Sequence, residues 1–276
     1  MKTRIISGTI GVLIFTAIIL LSTDIVLPTG FPIILTLVLS ALSMMGVYEL
    51  LHNTGIVKNN IIMGISCAFA FLLVIAFSIY GAMAGITLYF AFVAVLLTVS
   101  LTVHSKTSYA ELVASQAYTL FVAYAFYCLD NIIRNYGKFA FLLVFIFAWL
   151  TDTFAYFTGV FFGKHKLCPV LSPKKTVEGA VGGVVGCVIC TVVACLIRIK
   201  LGGDVNIIAF IPATILFSIL GMVGDISASY IKRAVGIKDY GNIMPGHGGV
   251  IDRFDSVLLI APVYHALLYW LPLINS

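Results

Sequence analysis

The sequence predicts an all-α, polytopic integral membrane protein of about nine transmembrane helices, and three observations predict it. Of 276 residues, 61% are hydrophobic and only 10% charged, whereas soluble domains carry roughly a quarter charged residues. Mean hydropathy is +1.13. Apolar runs near the length of about 20 residues that a membrane crossing needs recur along the chain, separated by short polar connectors.

The first run, Ile5–Leu21, follows the basic Lys2 and Arg4 and so resembles a signal peptide. It is long, however, and no small-x-small cleavage site precedes Asp24 and Pro28, so it reads as an uncleaved span. Phe31–Leu51, Ile61–Tyr80, Met83–Val103 and Leu112–Leu129 complete an N-terminal region, residues 1–138, of about five spans with few charges. Its connectors hold no pattern that points to chemistry. Glu49 and Glu111, near span ends, read as interfacial or helix-end charges. The C-terminal region, residues 139–276, carries about four spans, Phe139–Phe162, Gly179–Ile197, Ile207–Tyr230 and Val257–Leu273, and is expected to be the catalytic one. Six cysteines sit mostly within apolar runs. Cys187 and Cys190 lack accompanying histidine ligands, so they read as packing residues and not as a zinc site.

Nine spans with a cytoplasmic amino terminus place twelve basic residues inside and four outside, a clear positive-inside bias. The net charge of +5 follows from that topology and from anionic lipid, so no nucleic-acid partner is expected. The same orientation turns the charged edges of spans six to nine toward the cytoplasm, where a bacterial-type inner or plasma membrane meets soluble nucleotides.

Those edges are where the polar groups gather. Asp152 lies inside an apolar run, with Tyr156, Gly159 and Gly163 on roughly the same helical face. An intramembrane aspartate is a functional hypothesis by default. Next, Ser172-Pro173 stops any helix and leaves KHKLCPVLSPKK as a loop; Lys174, Lys175 and Thr176 precede span seven, where Thr176 is an expected N-cap and the paired lysines suit an anion. Gly179, Gly182, Gly183 and Gly186 within that span read as close helix packing, and such glycine-lined spans permit a homodimer. On span eight, Asp225, Ser229 and Lys232 fall at i, i+4 and i+7, with Arg233 beside them. A glycine-rich segment, Pro245-Gly246-His247-Gly248-Gly249, then leads to Asp252, Arg253 and Asp255 at the start of span nine. Carboxylates can hold a hard cation, and basic groups with backbone amides can hold phosphates. Together these are the equipment for chemistry on a nucleoside triphosphate.

At Ser229, Lys232-Arg233, Lys238-Asp239, His247-Gly248-Gly249 and Asp252-Arg253-Phe254-Asp255, the sequence resembles the CDP-diacylglycerol synthases, also called phosphatidate cytidylyltransferases. The likeness extends upstream to Asp152-Thr153 with Ala155-Tyr156 and to Ser172–Thr176 with Glu178-Gly179, so it covers roughly residues 145–260. What the resemblance implies is attack of phosphatidate on the α-phosphorus of CTP, giving CDP-diacylglycerol and pyrophosphate at the cytoplasmic ends of the C-terminal helices. It also implies metal ligation by Asp225 and Asp252, with Asp255 and Asp152 as further candidates, and Mg2+ or Mn2+ with room for a second cation. Lys232 and Arg233 are assigned to phosphate charge beside the two catalytic aspartates. Lys174, Lys175, Thr176, Ser229, Lys238, His247, Gly248, Gly249 and Arg253 are assigned to substrate. Three alternatives are weighed against this reading, of which the CDP-alcohol phosphotransferases begin their motif with Asp-Gly and space their aspartates in a pattern that Asp252 to Asp255 does not reproduce. A CTP-dependent polyprenol or dolichol-type lipid kinase would explain Lys175 to Gly179 but not the run through Asp255. An ion-coupled transporter would be expected to show broken helices in both halves.

Overall fold

The computed structural model describes residues 33–102, 107–242 and 248–275. The expected first span, Ile5–Leu21, and His247 lie outside the described residues. Helix α1 runs Ile33–Asn53 and ends in a π turn, Glu49–Asn53. Helices α2, Asn60–Tyr80, and α3, Ala82–Thr102, follow. Next comes α4, Tyr109–Phe145, then a second π turn, Ile146–Leu150, and α5, Thr151–Phe162. A hairpin of β1, Lys166–Cys168, and β2, Ser172–Thr176, leads into α6, Val177–Lys200. Strand β3, Asp204–Val205, precedes α7, Ile207–Ala234, and α8, Ile251–Trp270, precedes β4, Ile274–Asn275. Among the described residues six helical stretches are long and apolar enough to cross a membrane: α1, α2, α3, the run Tyr109–Phe162, α6 and α7. Helix α8, whose opening turns carry Asp252, Arg253 and Asp255, is not among the six. The chain is a mostly helical integral membrane protein.

Two expectations are revised. The predicted spans Leu112–Leu129 and Phe139–Phe162 are not separated by a polar loop, because the helix continues past Asp130 and breaks only at Gly137. Asp130 is tolerated there because it is buried and accepts a 2.9 Å hydrogen bond from Thr36 Oγ1, a paired group and not an orphan. At about 1.5 Å per residue an unbroken 54-residue helix would reach about 80 Å, far beyond a hydrocarbon core of about 30 Å. Gly137 interrupts it at φ 80°, a left-handed conformation that costs glycine little. The second revision concerns the loop before α6. Ser172-Pro173 does prevent a helix, but the segment is extended and pairs antiparallel with Lys166–Cys168, in the register Lys166 with Thr176 and Cys168 with Ser172.

The described residues divide into two compact units. Those up to Asp130, with Ala234–Phe254, form one; Asn131–Arg233, with the residues from Asp255 on, form the other. The first unit has a core of Leu39, Leu51, Ile62, Leu73, Phe92 and Phe126, all essentially inaccessible. The second is built around three aromatic rings. Phe147, in the second π turn, lies 4.8 Å from Phe217 of α7 and 5.3 Å from Tyr264 of α8, and those two are 5.1 Å apart. Offset and edge-on contacts of this kind suit the ring quadrupole. They anchor the turn that sends the chain into Asp152.

Candidate active site

In the second unit, α5 and α6 approach backbone to backbone. A Cβ added at Gly179 would sit 2.7 Å from the Ala155 carbonyl, and one at Gly183 would sit 2.8 Å from the Thr151 carbonyl. The glycine spacing of α6 therefore serves packing within the chain, as expected of small residues at a helix crossing. The crossing lays the face of α5 that carries Asp152 and Gly159 against the start of α6. There Thr176 is the N-cap, with extended backbone and with Oγ1 accepting from Gly179 N at 3.1 Å. Glu178, in the first turn, accepts from the amides of Lys164 at 3.0 Å and His165 at 3.2 Å, and its Oε1 meets His165 Nδ1 at 2.6 Å. It ties down the strand that enters the hairpin.

These contacts enclose a cavity of about 600 Å3, whose polar lining is Asp152, Tyr156, Lys166, Lys174, Lys175, Thr176 and Asp225. Lys175 Nζ lies 2.5 Å from Asp225 Oδ2, and both side chains are about a quarter exposed. Asp152 faces Asp225 and Lys175 closely enough to feel both charges. Asp255 feels Asp225, Asp152 and Lys232. Its position has a backbone cause: a Cβ at Gly224 would lie 2.6 Å from the Asp255 carbonyl, and Ser256 Oγ donates to the Gly221 carbonyl at 3.0 Å. Helices α7 and α8 thus touch beside the two aspartates. The predicted Asp225, Ser229, Lys232 spacing falls within one continuous helix, α7. Lys232 is half-buried, Arg233 is exposed, and neither lines the cavity.

The first unit holds the other predicted group. Asp252, at the start of α8, accepts from Tyr240 N at 2.7 Å and from Gly249 N at 3.0 Å, both on Oδ2. Gly248 is held at φ 86°, and a Cβ there would lie 2.9 Å from Asp252 Oδ2. Lys238 and Arg253 are exposed in this unit. The residue that organises the turn was not among the candidates. Glu49 is fully buried, and its two carboxylate oxygens accept from Val250 N and Ile251 N at 2.9 Å each. A Cβ at Gly241 or Gly249 would collide with it, at 2.5 and 2.4 Å. The signal in the sequence was faint: an acidic residue near the end of an apolar run, where Asp152 stands inside one. Lys166 and Tyr156 were also not assigned to a site, because a hairpin and a helix crossing bring them to the cavity.

Among the described residues no three His, Cys, Asp or Glu side chains converge as a ready-made metal cluster. The donor chemistry nevertheless suits Mg2+, which is held by one or two carboxylates together with substrate phosphates and water and rarely by an all-protein cage. Asp152 and Asp225 supply hard oxygens to the cavity, and Lys166, Lys174 and Lys175 supply positive charge to it. Three ammonium groups beside two carboxylates fit an anionic polyphosphate that arrives with a cation.

The family described as the cytidylyltransferase family matches residues 2–271. The chain belongs to the cytidylyltransferase family. A protein of Staphylococcus haemolyticus named phosphatidate cytidylyltransferase is 35% identical, over 97% of this chain and 99% of its own length. One of the same name from Staphylococcus epidermidis is 34% identical, again over 97% and 99%. A third, from Staphylococcus saprophyticus, is 44% identical over 49% of this chain and 51% of its own. In this cytidylyltransferase, a nucleotidyltransferase by membership, the residues that carry the resemblance therefore fall in two places. Asp152, Lys174, Lys175, Thr176 and Asp225 share the cavity of one unit; Gly248, Gly249 and Asp252 form the amide-lined turn of the other.

Proposed function

We infer that the protein is a phosphatidate cytidylyltransferase: it joins CTP and phosphatidate, releasing pyrophosphate and forming CDP-diacylglycerol for phospholipid synthesis. A phosphate oxygen of phosphatidate bonds to the α-phosphorus of CTP as the bond between the α-phosphorus and the bridging oxygen to the β-phosphate breaks. No protein nucleophile is needed, since the lipid phosphate is already an anion, so catalysis rests on positioning and charge neutralisation. The observation that carries this reading is the Lys175–Asp225 ion pair on the wall of a cavity that also holds Asp152, Lys166 and Lys174. Each member of that pair has a natural partner of opposite sign in a magnesium nucleotide.

Asp225 with Asp152 is proposed to hold Mg2+ or Mn2+, which when bound would neutralise phosphate charge; Asp255, whose carboxylate interacts electrostatically with both, is a further proposed ligand. Lys174 and Lys175 hold phosphate oxygens, and Thr176 keeps the following amides of α6 aligned. Lys232 and Arg233 add positive charge along α7. Asp252, proposed from sequence as a second metal ligand, and Gly248 and Gly249 act through the turn they form, while Ser229, Lys238, His247 and Arg253 are proposed substrate contacts. About nine crossings with the amino terminus inside would turn these edges to the cytoplasm, on the positive-inside argument. A homodimer and a second cation complete the proposal.

The test uses purified protein with phosphatidate, Mg2+ and CTP labelled in either the α- or the γ-phosphate. Label from the α position in the lipid, with stoichiometric pyrophosphate, is expected. Only γ label in the lipid would replace the reading with a lipid kinase.

A further inference from the structure

We propose that Glu49 is a positioning residue for this reaction, acting from the N-terminal spans: its carboxylate fixes the backbone that carries Gly248, Gly249 and Asp252. The inference rests on the cytidylyl-transfer reading of that turn. Four contacts within one unit carry it. Both carboxylate oxygens are engaged, one by Val250 N and one by Ile251 N, at the N-terminus of α8, where exposed amides and the helix dipole favour an anion. The glycines at 241 and 249 leave the carboxylate the space that side chains would fill. Four residues on, Asn53 donates from Nδ2 to the Tyr240 carbonyl, and the Tyr240 amide donates to Asp252. The π turn Glu49–Asn53 thus grips the segment on both sides of the glycine-rich stretch, at Tyr240 and at Val250-Ile251. π turns inside α-helices are frequent at functional sites. A fully buried carboxylate is costly unless its oxygens are hydrogen-bonded, and here the turn supplies the donors.

Glu49→Gln tests this because it keeps the shape but removes one acceptor and the charge, turning an NH2 group toward one of the two amides. The expected result is a fall in kcat of about ten- to a hundredfold, with KM for CTP within about threefold, as for a misplaced but occupied site. Hydrogen exchange at the Val250 and Ile251 amides should accelerate about tenfold while the other helices keep their protection. Glu49→Asp, which keeps the charge on a shorter arm, should recover part of kcat. Wild-type kcat in Glu49→Gln, or unchanged exchange at 250 and 251, would overturn the proposal. So would loss of folded protein with normal kcat per folded molecule, which would mark a purely structural role. If Glu49→Gln does not insert, Gly249→Ala carries the test, since its methyl meets the carboxylate: folded protein with lowered kcat supports the proposal, and wild-type kcat sinks it. Absence of α-label transfer by the wild-type protein would instead remove the proposed reaction, and the exchange arm would still read the grip on the turn.

Discussion

The two units use acidic side chains in opposite ways. In one, Glu49 turns both carboxylate oxygens onto the amides of Val250 and Ile251, and Asp252 turns Oδ2 onto those of Tyr240 and Gly249, and so they set the path of the chain. In the other, Asp152 and Asp225 line a cavity and meet side-chain charge, with Lys175 at 2.5 Å from Asp225. A carboxylate oxygen engaged by main-chain donors is part of the architecture, because no substrate can displace the amides without unmaking the turn. One paired with a lysine across an open cavity can exchange that partner for a cation as the lysine takes a phosphate. Identical chemistry in the side chain is therefore compatible with two different jobs, decided by which donors the fold presents.

The comparison breaks most visibly at Asp225. Asp225→Ala is expected to lower pyrophosphate release from CTP by roughly 10^3-fold or more, as when a charge-stabilising group is removed, while the thermal midpoint in detergent stays near that of the wild type. Near-normal turnover would remove Asp225 from the site. Chelation of divalent cations should silence the wild-type enzyme as fully, and added Mg2+ should restore it. Asp252→Ala should differ in kind, because it loses turnover and also lowers the midpoint. Hydrogen bonds to a charged group contribute about 1.5–3 kcal/mol each, and two amides lose their acceptor. An Asp252→Ala protein as stable as the wild type would erase the distinction between the units.

Smaller effects sharpen it. Gly183→Val places side-chain atoms against the Thr151 carbonyl and should cost about 1–3 kcal/mol by overpacking. It should also weaken CTP binding, measured as KM, because the same crossing spaces Asp152 from Lys175. Thr176→Ala should cost about 1 kcal/mol, the usual worth of an N-cap, readable as a small drop in midpoint together with a modest rise in KM for CTP.

Much of this was legible in the chain. The apolar runs marked helices α1, α2, α3, α6 and α7, because a long apolar run in lipid satisfies its backbone as a helix. The glycines of α6 and the cap at Thr176 were readable from local spacing, and Asp152 stood out against its apolar surroundings. What was not legible depended on distant partners. Asp130 looked like the end of a span until Thr36, 94 residues away, supplied its hydrogen bond. Glu49 looked like a boundary charge because its partners lie about 200 positions on. The hairpin of Lys166–Cys168 with Ser172–Thr176 was hidden by proline, which forbids a helix without announcing a strand.

The π turns have a consequence for length variation. Each accommodates an extra residue relative to a regular helix by widening one turn. Deleting a single position within Glu49–Asn53 would return the stretch to regular winding and remove the widened turn that spaces Glu49, on Val250 and Ile251, from Asn53, on the Tyr240 carbonyl. The same deletion within Ile146–Leu150 would remove the widened turn from which Phe147 packs on Phe217 and Tyr264, just ahead of Asp152. At these two places the number of residues matters as much as their identity, so single-residue deletions there should be tolerated far less well than most substitutions.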